Sequence, residues 1–147
     1  MMMMMFMWRP DIFQACHIEH LKDFVNYLTQ AMHSRLAHSQ VIWYDSVTDT
    51  GKLKWQDQLN AANQCFFDKC DGIFLNYCWT TEKLMSSCQV APSGRQNDIY
   101  VGCDVFGRGC LGGGKFDTCV VGWAKLIDFW FKFYRCFEFC FALIKFF

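Results

Sequence analysis

The sequence predicts an α/β protein whose strands form a parallel sheet with crossover helices. Three short apolar runs, over residues 41–46, 72–77 and 99–106, have the length and the flanking polar residues of buried strands. Helical patterns alternate with them, and strands that alternate with helices at this spacing pair in parallel. We expect these three strands to be adjacent and in chain order. Three strands are too few to close an eight-stranded barrel.

The first predicted element is an amphipathic helix over residues 18–35, packed outside the sheet. Residues 1–16 precede it and contain a methionine-rich run that is too short to span a bilayer and lacks the basic region and cleavage site of a signal peptide. We interpret residues 1–16 as an arbitrary, unstructured start. The helix is indicated by apolar residues three or four positions apart, namely Leu21, Phe24, Val25, Leu28 and Met32.

The remaining elements follow in order along the chain. The first strand holds Trp43 at its centre, which predicts a core position for this side chain. Apolar residues between 59 and 66 indicate a short second helix. A third helix is predicted over residues 81–88, after the second strand, with Thr80 or Thr81 as its N-cap.

Polar and aromatic side chains follow each predicted strand at its C-terminal end. In a barrel these ends share one face, where active sites form. Proteins hold sugars with such mixtures, because aromatic rings cover apolar C–H patches while polar groups bind hydroxyls. The pattern therefore predicts a carbohydrate site, although each of these residues could instead serve the core. The candidates are Tyr44, Asp45, Trp55, Asn76, Trp79 and Asp104.

Composition excludes several other functions. Fourteen basic and fourteen acidic residues give a net charge of zero, and no basic run marks a nucleic-acid partner. The ten cysteines contain no C-x-x-C pair and lie in apolar runs, which predicts reduced, buried thiols in a cytosolic protein rather than a secreted disulfide scaffold. The four histidines lack ligand spacing to the cysteines, so we expect no metal and no cofactor.

Several sequence blocks strongly resemble the cytosolic endo-β-N-acetylglucosaminidases of glycoside hydrolase family 85. The resemblance covers residues 17–118 and implies a fragment of a (β/α)8 TIM barrel, in which the three predicted strands look like the fifth, sixth and seventh. The blocks are residues 41–48, 51–60, 66–68, 70–79 and 100–109.

The resemblance implies an enzyme that cuts between the two N-acetylglucosamine units at the base of free or protein-attached N-glycans. The family uses substrate assistance, in which the 2-acetamido oxygen of the substrate attacks the anomeric carbon. A Glu serves as general acid and then base, and an Asn two residues before it orients the acetamido group. Both belong to an Asn-x-Glu motif at the end of the fourth strand.

The resemblance also implies a role for each candidate residue. Tyr44 matches the tyrosine that supports the reacting acetamido group. Trp55 and Trp79 match aromatic residues that line the glycan and acceptor subsites. Polar positions on the same face are matched by Asp45, Asn76 and Asp104.

The chain departs from the family at the catalytic acid. No Asn-x-Glu motif is present, and the nearest candidate, His17-Ile18-Glu19, begins with the wrong residue. Glu19 lies at the start of the predicted helix and is better interpreted as a charge favoured by the helix dipole. We expect the first four strands and the acid to be absent, so that the chain alone is inactive. A catalytically inactive glycan-binding remnant is the alternative.

The C-terminal residues 119–147 depart as well. They are rich in Phe, and their charges fall every three or four residues, forming one polar stripe on a helix. This stripe argues against a membrane-spanning segment, while association with a membrane surface stays an alternative. The abrupt end of the resemblance favours a misread exon boundary. The predicted organisation is thus a start (1–16), a partial hydrolase barrel (17–118) and a divergent tail (119–147).

Overall fold

The described residues form one parallel sheet with its helices on one side. The structure is a computed structural model, and it describes residues 2–4, 15–102 and 109–111. Its four strands pair in chain order, each parallel to the next. They are β1 (Met2–Met4), β2 (Val41–Tyr44), β3 (Gly72–Leu75) and β4 (Ile99–Val101).

The three predicted strands are confirmed in place, order and direction as β2, β3 and β4. Residues 103–106, which the sequence assigned to the last of them, lie outside the described residues. Strand β1 was not predicted, because residues 1–16 were expected to be an unstructured start. A methionine run lacks the β-branched and aromatic residues by which strands are usually identified.

Three helices connect the strands. They are α1 (Ala15–Arg35), α2 (Gln64–Phe67) and α3 (Thr81–Val90), and a 3-10 turn, Gln96–Asp98, precedes β4. The N-cap of α3 is Thr80, whose hydroxyl accepts the backbone N–H of Lys83 at 3.3 Å. The second predicted helix is only one turn long, because Leu59 lies in the loop before it.

Alternate strand residues face two different clusters. All three helices pack on the face that carries the odd-numbered strand residues, where Val25 of α1, Phe66 of α2 and Trp43 of β2 lie in one buried cluster. Trp43 is fully buried and stacks on the Phe66 ring with a centroid distance of 4.2 Å, which confirms its predicted core position. The opposite face carries Ile42, Phe74 and Tyr100, with Tyr44 packed against them.

One predicted core residue of α1 is exposed. Leu21 and Val25 are buried as expected, but the Phe24 side chain is 47% exposed. The buried face of α1 is narrower than the apolar face that the sequence pattern predicts, and Phe24 lies outside the buried face. No helix among residues 15–102 is long and apolar enough to cross a membrane, and the tail 119–147 lies outside the described residues.

Gly72, at the start of β3, occupies a position that has no room for a side chain. A Cβ atom placed there would lie 2.6 Å from the Asp98 carbonyl oxygen and 2.8 Å from the Tyr100 ring. The Tyr100 ring and the Asp98 carbonyl oxygen therefore occupy the space that a side chain at residue 72 would need.

Two polar side chains fasten the loops to this core. Arg95 donates to the carbonyl oxygens of Phe67 and Cys70 at 3.0 and 2.8 Å and to the Asp98 carboxylate at 2.9 Å. Its guanidinium also lies 4.0 Å from the centroid of the Phe67 ring. Ser87 of α3 is buried, and its hydroxyl accepts the backbone N–H of Leu59 at 2.9 Å. These contacts connect the ends of α2, β3 and α3.

Candidate carbohydrate site

Tyr44 and Asn76 lie together at the C-terminal edge of the sheet. Tyr44 ends β2, and Asn76 directly follows β3. The Tyr44 hydroxyl donates to the Asn76 side-chain oxygen at 2.9 Å, and the Tyr44 ring stacks on Phe74 with a centroid distance of 5.9 Å. The two predicted site residues are therefore in direct contact, on the face opposite the helices.

Two exposed aromatic side chains flank this pair. Trp55 is 44% exposed in the loop after β2, and Tyr77 is 37% exposed after β3. The Trp55 side chain lies close enough to the Tyr44 hydroxyl to act on its pKa, and so does Tyr77. Together, a half-buried hydroxyl, an amide and two open ring faces offer both kinds of contact that a sugar requires.

The Tyr44 hydroxyl remains protonated throughout the physiological pH range. Burial raises its pKa to about 12, although the hydrogen bond from the Trp55 side chain acts in the opposite direction. A hydroxyl with such a pKa is a poor proton donor in the acid–base sense. It is a stable hydrogen-bond donor to a neighbouring oxygen.

Asp45 is placed differently from its neighbour Tyr44. The sequence predicted it on the substrate face, but the side chain is only 1% exposed, and its oxygens accept hydrogen bonds from the protein itself. Burial raises the pKa of its carboxyl group to about 6, while the hydrogen bond from Asn63 and those from two backbone N–H groups act in the opposite direction. Asp45 directly follows the last residue of β2, and its backbone N–H still donates to the Phe74 carbonyl oxygen at 2.9 Å. Neighbouring side chains in such extended backbone point to opposite sides, so Tyr44 and Asp45 do not share one face.

Trp79 also lies in the core. The sequence treated Trp55 and Trp79 alike, whereas the structure exposes the first and leaves the second only 3% exposed. The Trp79 indole N–H donates to the Gly102 carbonyl oxygen at 2.7 Å, so it connects the loop after β3 to the end of β4. Asp104, the last predicted site residue, lies outside the described residues.

Sequence reasoning missed the polar residues that support the Trp55 loop. Asn63 is fully buried and donates to Asp45 at 3.0 Å, and Asp57 adopts a left-handed backbone with φ of 55°. The Asp57 carboxylate accepts the Cys78 N–H at 3.2 Å and lies 3.5 Å from the Lys83 ammonium group. No periodic pattern marks these residues. Asp is one of the few residues besides glycine that adopt the left-handed conformation readily, so the presence of an Asp in this polar loop is the one signal that the sequence offers.

Glu19 does not take part in this arrangement. It lies on α1, its side chain is 72% exposed, and it forms an ion pair with Lys22. The prediction that it begins the helix is wrong by one turn, because α1 starts at Ala15 and has no acidic residue in its first turn. An exposed, ion-paired carboxylate on the helix layer has no access to the Tyr44 side of the sheet.

The described thiols and carboxylates form no obvious metal centre. Within residues 15–102 and 109–111, no three His, Cys, Asp or Glu side chains are grouped to hold a metal ion. The thiols of Cys65, Cys70 and Cys78 are free. Burial raises the pKa of Cys70 to about 11, but Cys78 is exposed, so the expectation of buried thiols is wrong for this residue.

The chain falls in the class of α/β proteins with a parallel sheet, and the C-terminal edge of this sheet carries a hydroxyl, an amide and open aromatic rings, which are groups that can bind a sugar. Within this class it belongs to glycosyl hydrolase family 85, whose family model matches residues 8–130. The match extends on both sides beyond residues 17–118, where the sequence blocks show the resemblance.

Curated relatives have similar sequences over about two thirds to three quarters of the chain. The cytosolic endo-beta-N-acetylglucosaminidase of Danio rerio is 54% identical over 96 residues, which are 65% of this chain and 14% of that protein. The human protein of the same name is 48% identical over 101 residues, or 69% of this chain and 14% of its own length. Cytosolic endo-beta-N-acetylglucosaminidase 1 of Arabidopsis thaliana is 48% identical over 110 residues, or 75% and 16%. The chain thus spans about one seventh of the length of these relatives.

Proposed function

We propose that this chain supplies part of the substrate face of an endo-β-N-acetylglucosaminidase that cleaves the N,N'-diacetylchitobiose core of N-glycans in the cytosol. The observation that carries the proposal is the contact of Tyr44 with Asn76 and Trp55 at the C-terminal edge of the sheet. The names of the relatives support the reaction and the compartment. N-glycans or glycoproteins are accordingly the substrates, and no nucleic acid is involved.

In the proposed reaction the substrate supplies its own nucleophile. The 2-acetamido oxygen forms a bond to the anomeric carbon while the bond from that carbon to the leaving oxygen breaks, and the general acid gives the leaving oxygen its proton. The positive charge that develops on the acetamido group needs polar neighbours. The Tyr44 hydroxyl donates its proton to Asn76, so its oxygen is left to accept a hydrogen bond from the N–H of that group and to support the charge.

The aromatic side chains have a binding role in this proposal. The exposed ring of Trp55 stacks on an apolar sugar face beside the reacting group, and Tyr77 offers a second ring across the same edge. Trp79, which the resemblance places among the subsite aromatics, contributes by fixing the end of β4 through Gly102. Asp104 keeps its proposed role as a polar contact to the substrate.

The arrangement of the helices supports a barrel. In a doubly wound sheet, helices cover both faces, whereas a (β/α)8 barrel has all of them outside. Every crossover helix between residues 15 and 102 packs on the same face as Trp43, away from Tyr44. We therefore propose that the four strands are consecutive strands of a TIM barrel and that Tyr44 faces its interior.

The catalytic acid is the part that this sequence does not supply. Strand β1 pairs with β2 on the side away from β3. In the proposed barrel this is the place of the fourth strand, but β1 is followed in the sequence by Met5-Phe6-Met7-Trp8 and not by Asn-x-Glu. Removing general acid–base help typically costs about a hundredfold to ten-thousandfold in rate. We expect the 147 residues alone to be inactive on N-glycans.

The test separates the substrate face from the missing acid. In a chimera, residues 15–102 of this chain replace the matching segment of the Danio rerio relative, which is then incubated with a fluorescent high-mannose N-glycan. The expected product ends in one N-acetylglucosamine. A control chimera carries Gln in place of the Glu in the host's Asn-x-Glu motif and should release nothing. A well-folded chimera without activity would contradict the proposed function.

The 147-residue chain in the same assay decides between the two alternatives for its own activity. No product, together with retention of the glycan on the immobilised chain, would favour a glycan-binding remnant. Product formation that disappears in Glu19→Gln would instead assign the acid role to Glu19.

A further inference from the structure

The buried carboxylate of Asp45 is satisfied by the loop that carries Trp55. Its Oδ2 accepts the backbone N–H groups of Gln56 at 2.9 Å and Asp57 at 2.7 Å, and its Oδ1 accepts the Asn63 amide N–H at 3.0 Å. None of the ion pairs between described side chains includes Asp45. A buried charge needs such donors, and charge-assisted hydrogen bonds are stronger than neutral ones. Asp45 thus holds the two residues that directly follow Trp55.

The backbone at Asp57 requires this support. Its φ of 55° lies in the left-handed region, which residues other than glycine adopt when their surroundings fix it. The Asp57 carboxylate accepts the Cys78 N–H at 3.2 Å and pairs with Lys83 at 3.5 Å. Lys83 donates in turn to the Cys78 carbonyl oxygen at 3.2 Å. Asp57 therefore ties the Trp55 loop to the loop that carries Tyr77.

Asn63 completes the arrangement at the other end of the loop. It is fully buried, and its amide group donates both to Asp45 and to the Gln58 carbonyl oxygen, the latter at 2.9 Å. Its side-chain oxygen accepts the Asn60 N–H at 2.9 Å. Every polar atom of the Asn63 side chain is thus used within the loop or on Asp45.

We propose that Asp45, Asp57 and Asn63, here called the Trp55 anchor, are positioning residues that hold the Trp55 ring beside the Tyr44 hydroxyl and so determine how tightly the glycan binds. The inference rests on the proposed function. It replaces the predicted role of Asp45 as a direct sugar ligand, because the oxygens of this side chain are occupied by protein donors. In this proposal the anchor acts on the substrate only through the Trp55 loop.

The test is a double-mutant cycle in the chimera, with KM and kcat measured on the N-glycan. Asp45→Asn keeps the size of the side chain but weakens acceptance of the two backbone N–H groups. We expect KM to rise about tenfold with little change in kcat, as for the loss of one stacking contact that serves bound substrate and transition state alike. In a Trp55→Ala background, Asp45→Asn should raise KM no further. Asp49→Asn removes an exposed carboxylate of the same loop and should change neither constant.

A rescue experiment distinguishes positioning from general damage to the fold. In the double substitution Asp45→Asn with Asn63→Asp, the amide at residue 45 can donate to the carboxylate at residue 63, which restores this link with its direction reversed, while the donation from residue 63 to the Gln58 carbonyl oxygen is lost. KM should therefore fall below that of Asp45→Asn without reaching that of the parent chimera. A purely structural role would lower the melting temperature and leave KM unchanged, and that result would overturn the proposal.

Each of the remaining outcomes supports or overturns either the anchor or the proposed function. Additive effects of Asp45→Asn and Trp55→Ala would show that Asp45 acts independently of the ring, which overturns the anchor while the proposed function stands. If Asp45→Asn does not fold, Asp57→Gly takes its place, because glycine accepts the left-handed backbone and only the tie to Cys78 and Lys83 is lost. An unchanged KM in Asp57→Gly would refute the anchor. An inactive parent chimera would remove the proposed function and the anchor together.

Discussion

Replacing Tyr44 by Phe tests the central contact of the site. The substitution removes one hydroxyl, which donates to Asn76 at 2.9 Å, and leaves the ring that stacks on Phe74 at 5.9 Å. Loss of one preorganised hydrogen-bonding group beside a developing charge typically lowers kcat by about 10² to 10³. Because Asn76 already shares the Tyr44 hydroxyl, we expect the lower end of this range. The prediction is a fall of about a hundredfold in kcat, equivalent to about 2.7 kcal/mol.

The assay is steady-state cleavage of the fluorescent N-glycan by the chimera between pH 5 and pH 9. Tyr27→Phe is the matched control, because Tyr27 is 69% exposed on α1 and lies on the helix layer. The control should have the kcat and KM of the parent chimera. Melting temperatures of both variants should stay close to that of the parent, since each retains its ring.

The pH profile provides the refutation. With a pKa of about 12, the Tyr44 hydroxyl keeps its proton over the whole range, so the ratio of parent to variant kcat should not depend on pH. A ratio that falls between pH 7 and pH 9 would mean that Tyr44 titrates in this range and serves as an acid or base. An unchanged kcat in Tyr44→Phe would remove the hydroxyl from the mechanism altogether.

Three further predictions concern stability and are measured by urea unfolding of the 147-residue chain, followed by tryptophan fluorescence. Arg95→Ala should lower the free energy of unfolding by about 3 kcal/mol, because three charge-assisted hydrogen bonds and a cation–π contact are lost together; a loss below about 1 kcal/mol would show that water replaces them. Ser87→Ala should cost about 1–3 kcal/mol by leaving the buried Leu59 N–H without its acceptor, whereas the same change at exposed Ser86 should cost little, and equal effects would refute the argument. The third prediction is a pH dependence: burial raises the pKa of Asp45 from 3.8 to about 6, so the folded state takes up a proton more readily than the unfolded state. The resulting stabilisation, about 3 kcal/mol, is fully present below about pH 4 and is lost as the pH rises through about 6. Asp45→Asn should remove this part of the pH dependence, and an unchanged profile would contradict it.

The elements that the sequence predicted correctly are those with a local cause. The strands β2, β3 and β4 are continuous apolar runs, and α1 has an apolar stripe with helical spacing, so each is visible in a short window of sequence. Tyr44 and Asn76 were expected to lie near each other because the C-terminal ends of parallel strands meet at one edge, and their side chains are in contact. The strand Met2–Met4 has no such signal, since its pairing with β2 comes from tertiary contact.

The errors within the site have a different origin. Tyr44 and Asp45 are neighbours in sequence, and position alone does not tell which of them faces substrate once the strand has ended. The Trp55 anchor connects residues 45, 57 and 63 through a loop without regular structure. Hydrogen bonds of this kind depend on the conformation of the loop, and no pattern in a single sequence indicates that conformation. Trp79 was misplaced for the same reason, because its partner is a carbonyl group 23 residues away.

The crowded position of Gly72 has a consequence for the comparison of family members. Its neighbours, the Asp98 carbonyl oxygen and the Tyr100 ring, leave less than 3.0 Å for a Cβ atom, so even alanine forces the backbone of β3 or the tyrosine ring to move. A saturation library at this codon should recover glycine almost alone, although the residue touches no part of the proposed substrate site. Absolute invariance at this column of a family alignment would therefore record the approach of a neighbouring carbonyl group and an aromatic ring, and a smaller residue in place of Tyr100 should not by itself permit Ala or Ser, because the Asp98 carbonyl oxygen stays 2.6 Å from the Cβ position.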